Sequence, residues 1–181
     1  MDEHRLVRVS KYLSRHLRHQ PERLGLELSP GGWVDVDVLL AALEARHFPV
    51  SRSELEEVVA KNDKRRFSFD ETGVRIRANQ GHSVDVDLQL EATAPPPKLY
   101  HGTSERIIDQ VLAGGLKRMG RHHVHLCSDP GTARRVGSRH GRPVVLVVDA
   151  TAMASNGMDF FVTENGVWLT DHVPPRYLSQ L

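Results

Sequence analysis

Between His4 and His19 the chain reads HRLVRVSKYLSRHLRH, with Leu6, Val9, Leu13 and Leu17 at helical spacing. Arg8, Lys11, Arg15 and Arg18 fall nearly opposite that stripe on a helical wheel. The segment holds five Lys or Arg, three His and no carboxylate, so its basic face has no acidic partner three or four residues away. Such a face is either an ordinary solvated surface or one that meets an external anion. Further on, Gly31–Gly32 predicts a turn, Trp33–Val36 a short strand, and Leu39, Leu40 and Leu43 a second helix. Ser51 with Glu54 is a capping-box pattern opening a third helix through Leu55, Val58 and Val59. Arg66–Phe69 and Val74–Arg77 flank a turn at Asp70–Gly73, as a β-hairpin requires. Val84, Val86, Leu88 and Leu90 alternate with polar residues and predict one more strand. Helices followed by a β-hairpin match a winged-helix layout.

The texture changes after Glu91–Lys98, EATAPPPK, whose three prolines favour an extended polyproline II spacer. Leu99–Thr103 predicts a buried strand ending in a tight turn. Ile107, Ile108, Val111 and Leu112 predict a helix stopped at Gly114–Gly115. His123–Cys127 reads as a strand, and Asp129-Pro130 as the cap and first residue of a helix. Val144–Val148 is a continuous β-branched run expected at the centre of a sheet, and Asn165-Gly166 marks a hairpin between Phe160 and Leu169. The expectation is an α+β protein in two lobes, residues 1–91 and 99–181, joined by a proline-rich linker at 92–98. The second lobe is expected to have a split β-sheet with two modest helices.

Composition alters this picture in one respect. The 181 residues carry 24 Lys or Arg against 23 Asp or Glu, a formal net charge of +1, which is unlike a protein that coats a nucleic acid. The sum conceals a division. Residues 1–97 hold 14 basic and 16 acidic side chains, net −2, and residues 98–181 hold 10 and 7, net +3. One cysteine, Cys127, excludes an internal disulfide framework. No apolar run approaches the ~18 residues that span a bilayer, and the N-terminus has no signal-peptide pattern, so a cytoplasmic protein without membrane attachment is expected.

The 11 histidines are the compositional excess. In His122–His125 only His123 and His125 share a strand face, with Cys127 on the same side. No further ligand follows at a metal-binding spacing, so phosphate or cofactor contacts and structural roles are favoured over a metal. His101-Gly102-Thr103 offers a glycine for close backbone approach between two hydrogen-bonding side chains. Dinucleotide-binding Gly-x-Gly-x-x-Gly, Walker A, Gly-x-Ser-x-Gly and HExxH patterns are all missing from the chain.

Leu13-Ser14, Leu17-Arg18-His19-Gln20-Pro21 and Asp63-Lys64-Arg65-Arg66-Phe67 together resemble the first lobe of the NAD-dependent RNA 2′-phosphotransferases, the bacterial KptA type among them. Tyr100-His-Gly-Thr-Ser104, Gly115-Leu-Lys-Arg-Met119, Arg121-His-His-Val-His-Leu126, Val136-Gly-Ser-Arg-His-Gly141, Asn165-Gly-Val-Trp-Leu-Thr170 and Val173-Pro-Pro175 resemble the second. The motifs run in order from about Ser10 to Leu178. The resemblance implies a winged-helix RNA lobe followed by an ADP-ribosyltransferase-like NAD lobe. It also implies a catalytic tetrad of Arg18, His19, Arg66 and Arg121, of which the first three bind the RNA 2′-phosphate. NAD contacts are expected at His101, Gly102, Thr103, His125, Ser128 and Arg139. Cys127 departs from the family, which usually has serine there, and Ser128 is the neighbouring substitute. Glu164, beside the hairpin turn, is read as a turn residue rather than a catalytic glutamate.

The reaction so implied moves an internal RNA 2′-phosphate to NAD through an ADP-ribosylated 2′-phospho-RNA intermediate. It gives 2′-OH RNA, ADP-ribose 1″,2″-cyclic phosphate and nicotinamide, with no metal, and the RNA partner is tRNA-like. Two other readings accompany it: an ADP-ribosyltransferase acting on terminal nucleic-acid phosphates, and a non-enzymatic winged-helix binding protein. No large apolar stripe remains unexplained, so a monomer is expected.

Overall fold

Asp2 starts the first helix, α1 (Glu3–Arg18), by accepting a hydrogen bond from the Arg5 backbone N–H, and Val9, Leu13 and Leu17 bury completely on its inner side. The computed structural model describes residues 1–62 and 64–181, which divide into two compact units, Met1–Gln89 and Leu90–Leu181. In the first unit the strand β1 (Trp33–Asp35) runs directly into α2 (Val36–Ala45). Asp35 both ends the strand and caps the helix, accepting from the Asp37 and Val38 backbone N–H groups. The helix α3 (Arg52–Lys61) opens with the expected capping box between Ser51 and Glu54. The strands β2 (Phe67–Phe69) and β3 (Arg75–Ala78) follow, and the sheet order is β1-β3-β2 with antiparallel pairing. Val34, Ile76, Phe67 and Ala78 turn from this sheet onto Leu13, Leu17, Leu39, Leu43, Leu55 and Val58 to form one core.

The first helix finds an acidic partner elsewhere in its unit. Arg5 on α1 grips both carboxylate oxygens of Glu54 on α3 and also donates to the Pro49 carbonyl at 2.9 Å. Arg5 and the Ser51 backbone N–H together hold the Glu54 carboxyl down to about 2. A carboxyl depressed in the folded protein adds stability above its ordinary range, and that contribution is lost as pH falls from the ordinary glutamate value towards 2. Urea unfolding is therefore expected to separate the native chain from Glu54→Gln clearly at pH 7. The gap should narrow progressively below about pH 4.5.

The strand expected at 84–90 does not form. Val86 and Leu88 bury while Asp85, Asp87 and Gln89 face water, so the period-two alternation is real, but the segment joins no ladder. Its Asp87 carbonyl accepts from the Gly31 N–H, and Gln89 takes a left-handed φ of 54°, which breaks an extended run. Side-chain alternation reports which positions meet the core, and an irregular segment can satisfy it as well as a strand.

The second unit contains, in order, β4 (Lys98–Ser104), α4 (Ile108–Gly114), β5 (Leu116–Lys117), β6 (Val124–Leu126), α5 (Pro130–Gly137) and β7 (Pro143–Asp149). It continues through α6 (Ala150–Ser155), β8 (Phe161–Val162), β9 (Trp168–Thr170), β10 (His172–Val173) and β11 (Leu178–Gln180). The sheets run β11-β7-β4 and β6-β9-β8, with a short β10-β5 pair. Reciprocal backbone bonds between Tyr100 and Cys127, at 2.8 and 2.7 Å, bridge β4 to the β6 end of the second sheet. The apolar run lies at the centre of its sheet as expected, with Leu146 and Val148 fully buried. The unit has three helices where two were expected. The short α6 was missed because ATAMAS carries little periodicity, although Asp149 caps it and Ala150 and Met153 bury.

Two features correct the expected local geometry. His101-Gly102-Thr103 is not a turn after a strand: it lies inside β4, paired with Leu146, Val145 and Val144 of β7. Gly102 is required because α5 packs directly on the strand there. A Cβ on Gly102 would stand 1.7 Å from the Ala133 carbonyl oxygen, and one on Gly137 would stand 2.6 Å from the Thr103 oxygen. The Asn165-Gly166 hairpin forms, but as a three-residue loop. Gly166 donates to the Thr163 carbonyl at 2.9 Å and alone takes a left-handed φ, 77°, while Thr163 pairs with Val167. In the proline-rich segment, Thr93 N–H donates to the Phe160 carbonyl and the Pro97 carbonyl accepts from Ala150, both within the second unit. No described helix is long and apolar enough to cross a membrane.

Candidate functional site

The C-terminus of α1 carries the first pair of predicted residues. Its last carbonyls lack helical partners, and basic side chains there complement the negative end of the helix. Arg18 is the final helical residue, and its carbonyl accepts from the Ser83 N–H at 2.9 Å and the Val84 N–H at 3.4 Å. His19 leaves the helix at φ −128°, still donating its N–H to the Arg15 carbonyl, and its ring Nδ1 lies 2.9 Å from the Ser83 hydroxyl. Gly81, with φ 86°, lies against the Arg18 guanidinium: a Cβ there would stand 3.6 Å from Nη1.

Arg66 stands at the entrance to β2 and is tied to the same segment. Its carbonyl accepts from the Asn79 N–H at 2.9 Å, and the Asn79 side-chain amide donates to the Arg65 carbonyl at 2.7 Å. Arg65 holds a left-handed φ of 39°, a conformation disfavoured for arginine and sustained here by these bonds on both sides of the corner. The Arg66 guanidinium donates to the buried Asn62 Oδ1 at 3.2 Å, which also accepts from the Lys64 N–H. Asn62 Nδ2 in turn donates to the buried Ser10 hydroxyl on α1 at 2.8 Å. Asp63, the first residue of the predicted Asp63–Phe67 motif, lies outside the described residues.

The first unit thus hangs Arg18, His19 and Arg66 on one framework, α1 together with residues 79–83. Asn62, Asn79, Gly81 and Ser83 escaped the sequence reading because their partners are far away in the chain. Asn62→Ala would leave the buried Ser10 hydroxyl without its donor, and is expected to cost about 1–3 kcal/mol. Thermal unfolding followed by circular dichroism checks this, with Asn62→Asp as the near-isosteric comparison.

In the second unit the predicted residues occupy several settings. His101 Nδ1 lies 3.0 Å from the His125 carbonyl, which can only accept, so Nδ1 carries the proton and Nε2 is the acceptor. Burial pushes the His101 imidazole below its ordinary value, and the Arg121 charge pushes the same way, so at neutral pH it is held uncharged. Arg121 itself is exposed, in the loop after β5, and its N–H donates to the Arg118 carbonyl. Thr103 is buried, and Ser128 is exposed beside the cap of α5. Arg139 is exposed, in the 3-10 turn that follows α5. It borders an open depression of about 540 Å³ with Ser104, Arg106, Ile107 and His140, a lining that does not include His101 or His125. Burial and the nearby Asp129 push the Cys127 thiol up to about 11, so this residue serves through its backbone bridge and not as a thiolate. Among the described residues no three His, Cys, Asp or Glu side chains are grouped to hold a metal ion.

Fixed guanidinium and imidazole groups on an α+β scaffold are the equipment of a phosphate-handling protein. The chain belongs to the RNA 2′-phosphotransferase, Tpt1 / KptA family, whose sequence profile matches residues 4–172. It is 59% identical over 181 residues to a probable RNA 2′-phosphotransferase of Trichormus variabilis, covering 100% of both chains. A probable RNA 2′-phosphotransferase of Streptomyces coelicolor is 59% identical over 178 residues, 98% of this chain and 97% of its own. One from Agrobacterium fabrum is 51% identical over 171 residues, 94% of this chain and 92% of its own.

Proposed function

We propose that this protein is an NAD-dependent RNA 2′-phosphotransferase that removes an internal 2′-phosphate from a tRNA-like RNA. The observation that carries the reading is the framework of the first unit, where two arginines and a histidine are tied to one short segment in a chain of this family. A winged-helix RNA lobe in the first unit is supported by α1–α3 preceding the β2–β3 hairpin. An ADP-ribosyltransferase-like NAD lobe in the second is supported by its two bridged antiparallel sheets.

NAD serves here as a co-substrate whose nicotinamide is the leaving group and whose ribose accepts the phosphate. A 2′-phosphate is already an anion, so it needs positioning rather than deprotonation. Arg18 and Arg66 suit that task, since a guanidinium stays charged and grips phosphate through paired N–H groups. His19 orients the phosphate and moves the proton between the ribose hydroxyl and the departing RNA 2′-oxygen. Arg121 is assigned to the negative charge that develops at phosphorus during transfer. For the co-substrate, His101 offers a neutral ring with Nε2 as acceptor, which fits a ligand rich in ribose hydroxyls. His125, Gly102, Thr103, Ser128 and Arg139 complete the assigned NAD contacts. Of these Thr103 is buried and the side-chain space at Gly102 is occupied by α5, so neither offers an open side chain to the co-substrate. Phosphoryl transfer gains chiefly from positioning and charge neutralisation, which these groups supply without a metal.

Incubation with NAD and an oligonucleotide carrying one internal 2′-phosphate tests the proposal. Nicotinamide and an RNA lighter by one phosphate are expected by mass spectrometry. An RNA that keeps its 2′-phosphate and carries a stable ADP-ribose on a terminal phosphate would point instead to terminal-phosphate modification, and unconsumed NAD to a binding module.

A further inference from the structure

His19 is exposed and stands at the end of a helix, where a side chain has wide rotamer freedom. Proton transfer demands the opposite, a nitrogen held within about 0.5 Å and 10–20° of its working position. The Ser83 hydroxyl, 2.9 Å from Nδ1, is 64 residues away in sequence, so its presence there is a product of the fold and not of local chain geometry.

Ser83 is itself fixed. Its N–H donates to the carbonyl of Arg18, the residue beside His19. Upstream, Gly81 takes the left-handed turn against the Arg18 guanidinium, and Asn79 bonds the backbone of Arg65 and Arg66. Residues 79–83 therefore clasp the backbone beside Arg66 at one end and beside His19 at the other.

From this geometry we infer that Ser83 is a positioning residue for His19, turning Nδ1 towards the protein and giving the proton work to Nε2. The inference rests on the proposed phosphotransferase function. A comparison within the chain shows why a hydroxyl is suited to the task. At His101 a carbonyl anchors Nδ1, and a carbonyl can accompany only the forms in which Nδ1 is protonated. A serine hydroxyl both donates and accepts, so it stays bonded to Nδ1 in the cation and in either neutral tautomer. His19 can then give or take a proton at Nε2 without the ring losing its anchor. A surface hydrogen bond with no such role would add slightly to stability and leave turnover unchanged.

Ser83→Ala and Ser83→Thr in the full chain separate these cases, with single-turnover rates and KM measured for a 2′-phosphorylated RNA and saturating NAD. Ser83→Ala is expected to slow turnover roughly 10–100-fold while KM for the RNA changes less than about twofold, the pattern for loss of an orienting contact behind a working residue. Ser83→Thr, which keeps the hydroxyl, should recover most of the rate. Nitrogen NMR of the His19 ring should show its Nδ1 signal altered in the alanine variant and retained in the threonine variant. An active native chain with unchanged Ser83→Ala turnover, or with equal losses in both variants, overturns the inference alone. A native chain that releases no nicotinamide in the presence of the RNA overturns the functional reading and the inference with it.

Discussion

Gly102→Ala is expected to destabilise the second unit by about 3 kcal/mol or more, at the upper end of overpacking effects. The added methyl would stand 1.7 Å from the Ala133 carbonyl oxygen and 2.6 Å from its carbon, and both belong to the backbone of α5. No rotamer change can relieve such a contact, because neither side is a flexible side chain. The helix must lift from β4, against which it is also seated at Gly137. Each kcal/mol shifts the melting temperature of a chain this size by about 2–4 °C, so a fall of roughly 6–12 °C is expected in a thermal melt. Gly114→Ala supplies the contrast. Nothing lies within 4 Å of its Cβ position and its φ is helical, so it should be neutral or slightly stabilising. Equal melting temperatures for the two variants would mean that α5 does not rest on Gly102.

Arg121→Ala is expected to leave stability within about 0.5 kcal/mol of the native chain, since the side chain is exposed. Of the two proposed steps, displacement of nicotinamide by the 2′-phosphate and then attack of a ribose hydroxyl on phosphorus, the second should slow about 100–1,000-fold, the usual cost of removing one group that stabilises developing negative charge. The expected result is accumulation of an RNA whose 2′-phosphate carries ADP-ribose, resolved by gel shift and mass spectrometry. Loss of that intermediate with NAD binding intact would assign Arg121 to the first step. The variant has an independent readout. The Arg121 charge lowers the His101 value, so its removal should raise the His101 titration midpoint seen by NMR.

Much of the local structure was legible in the sequence, and the failures share a cause. Leu13 and Leu17 at helical spacing, the Ser51–Glu54 capping box and the run through Leu146 and Val148 each encode their element within a few residues, and each formed as read. The period of 84–90 located Val86 and Leu88 in the core but said nothing about whether a neighbouring strand would be there to pair. Gly102 was visible as a glycine with a purpose, yet what approaches it is Ala133, on a helix distant in the chain. The predicted site residues came from ordered motifs, whereas the groups that hold them could not. Asn62 meets Ser10 across 52 residues and Ser83 meets His19 across 64, and no periodicity records which polar side chains the fold will bring together.

The most direct measurement follows the phosphate itself, using an RNA radiolabelled at a single internal 2′-phosphate and the native chain, with and without NAD. Label is expected to leave the RNA only when NAD is present and to reappear as ADP-ribose 1″,2″-cyclic phosphate, with one nicotinamide released per phosphate moved. Label released as inorganic phosphate without NAD, or label that never leaves the RNA, would contradict it.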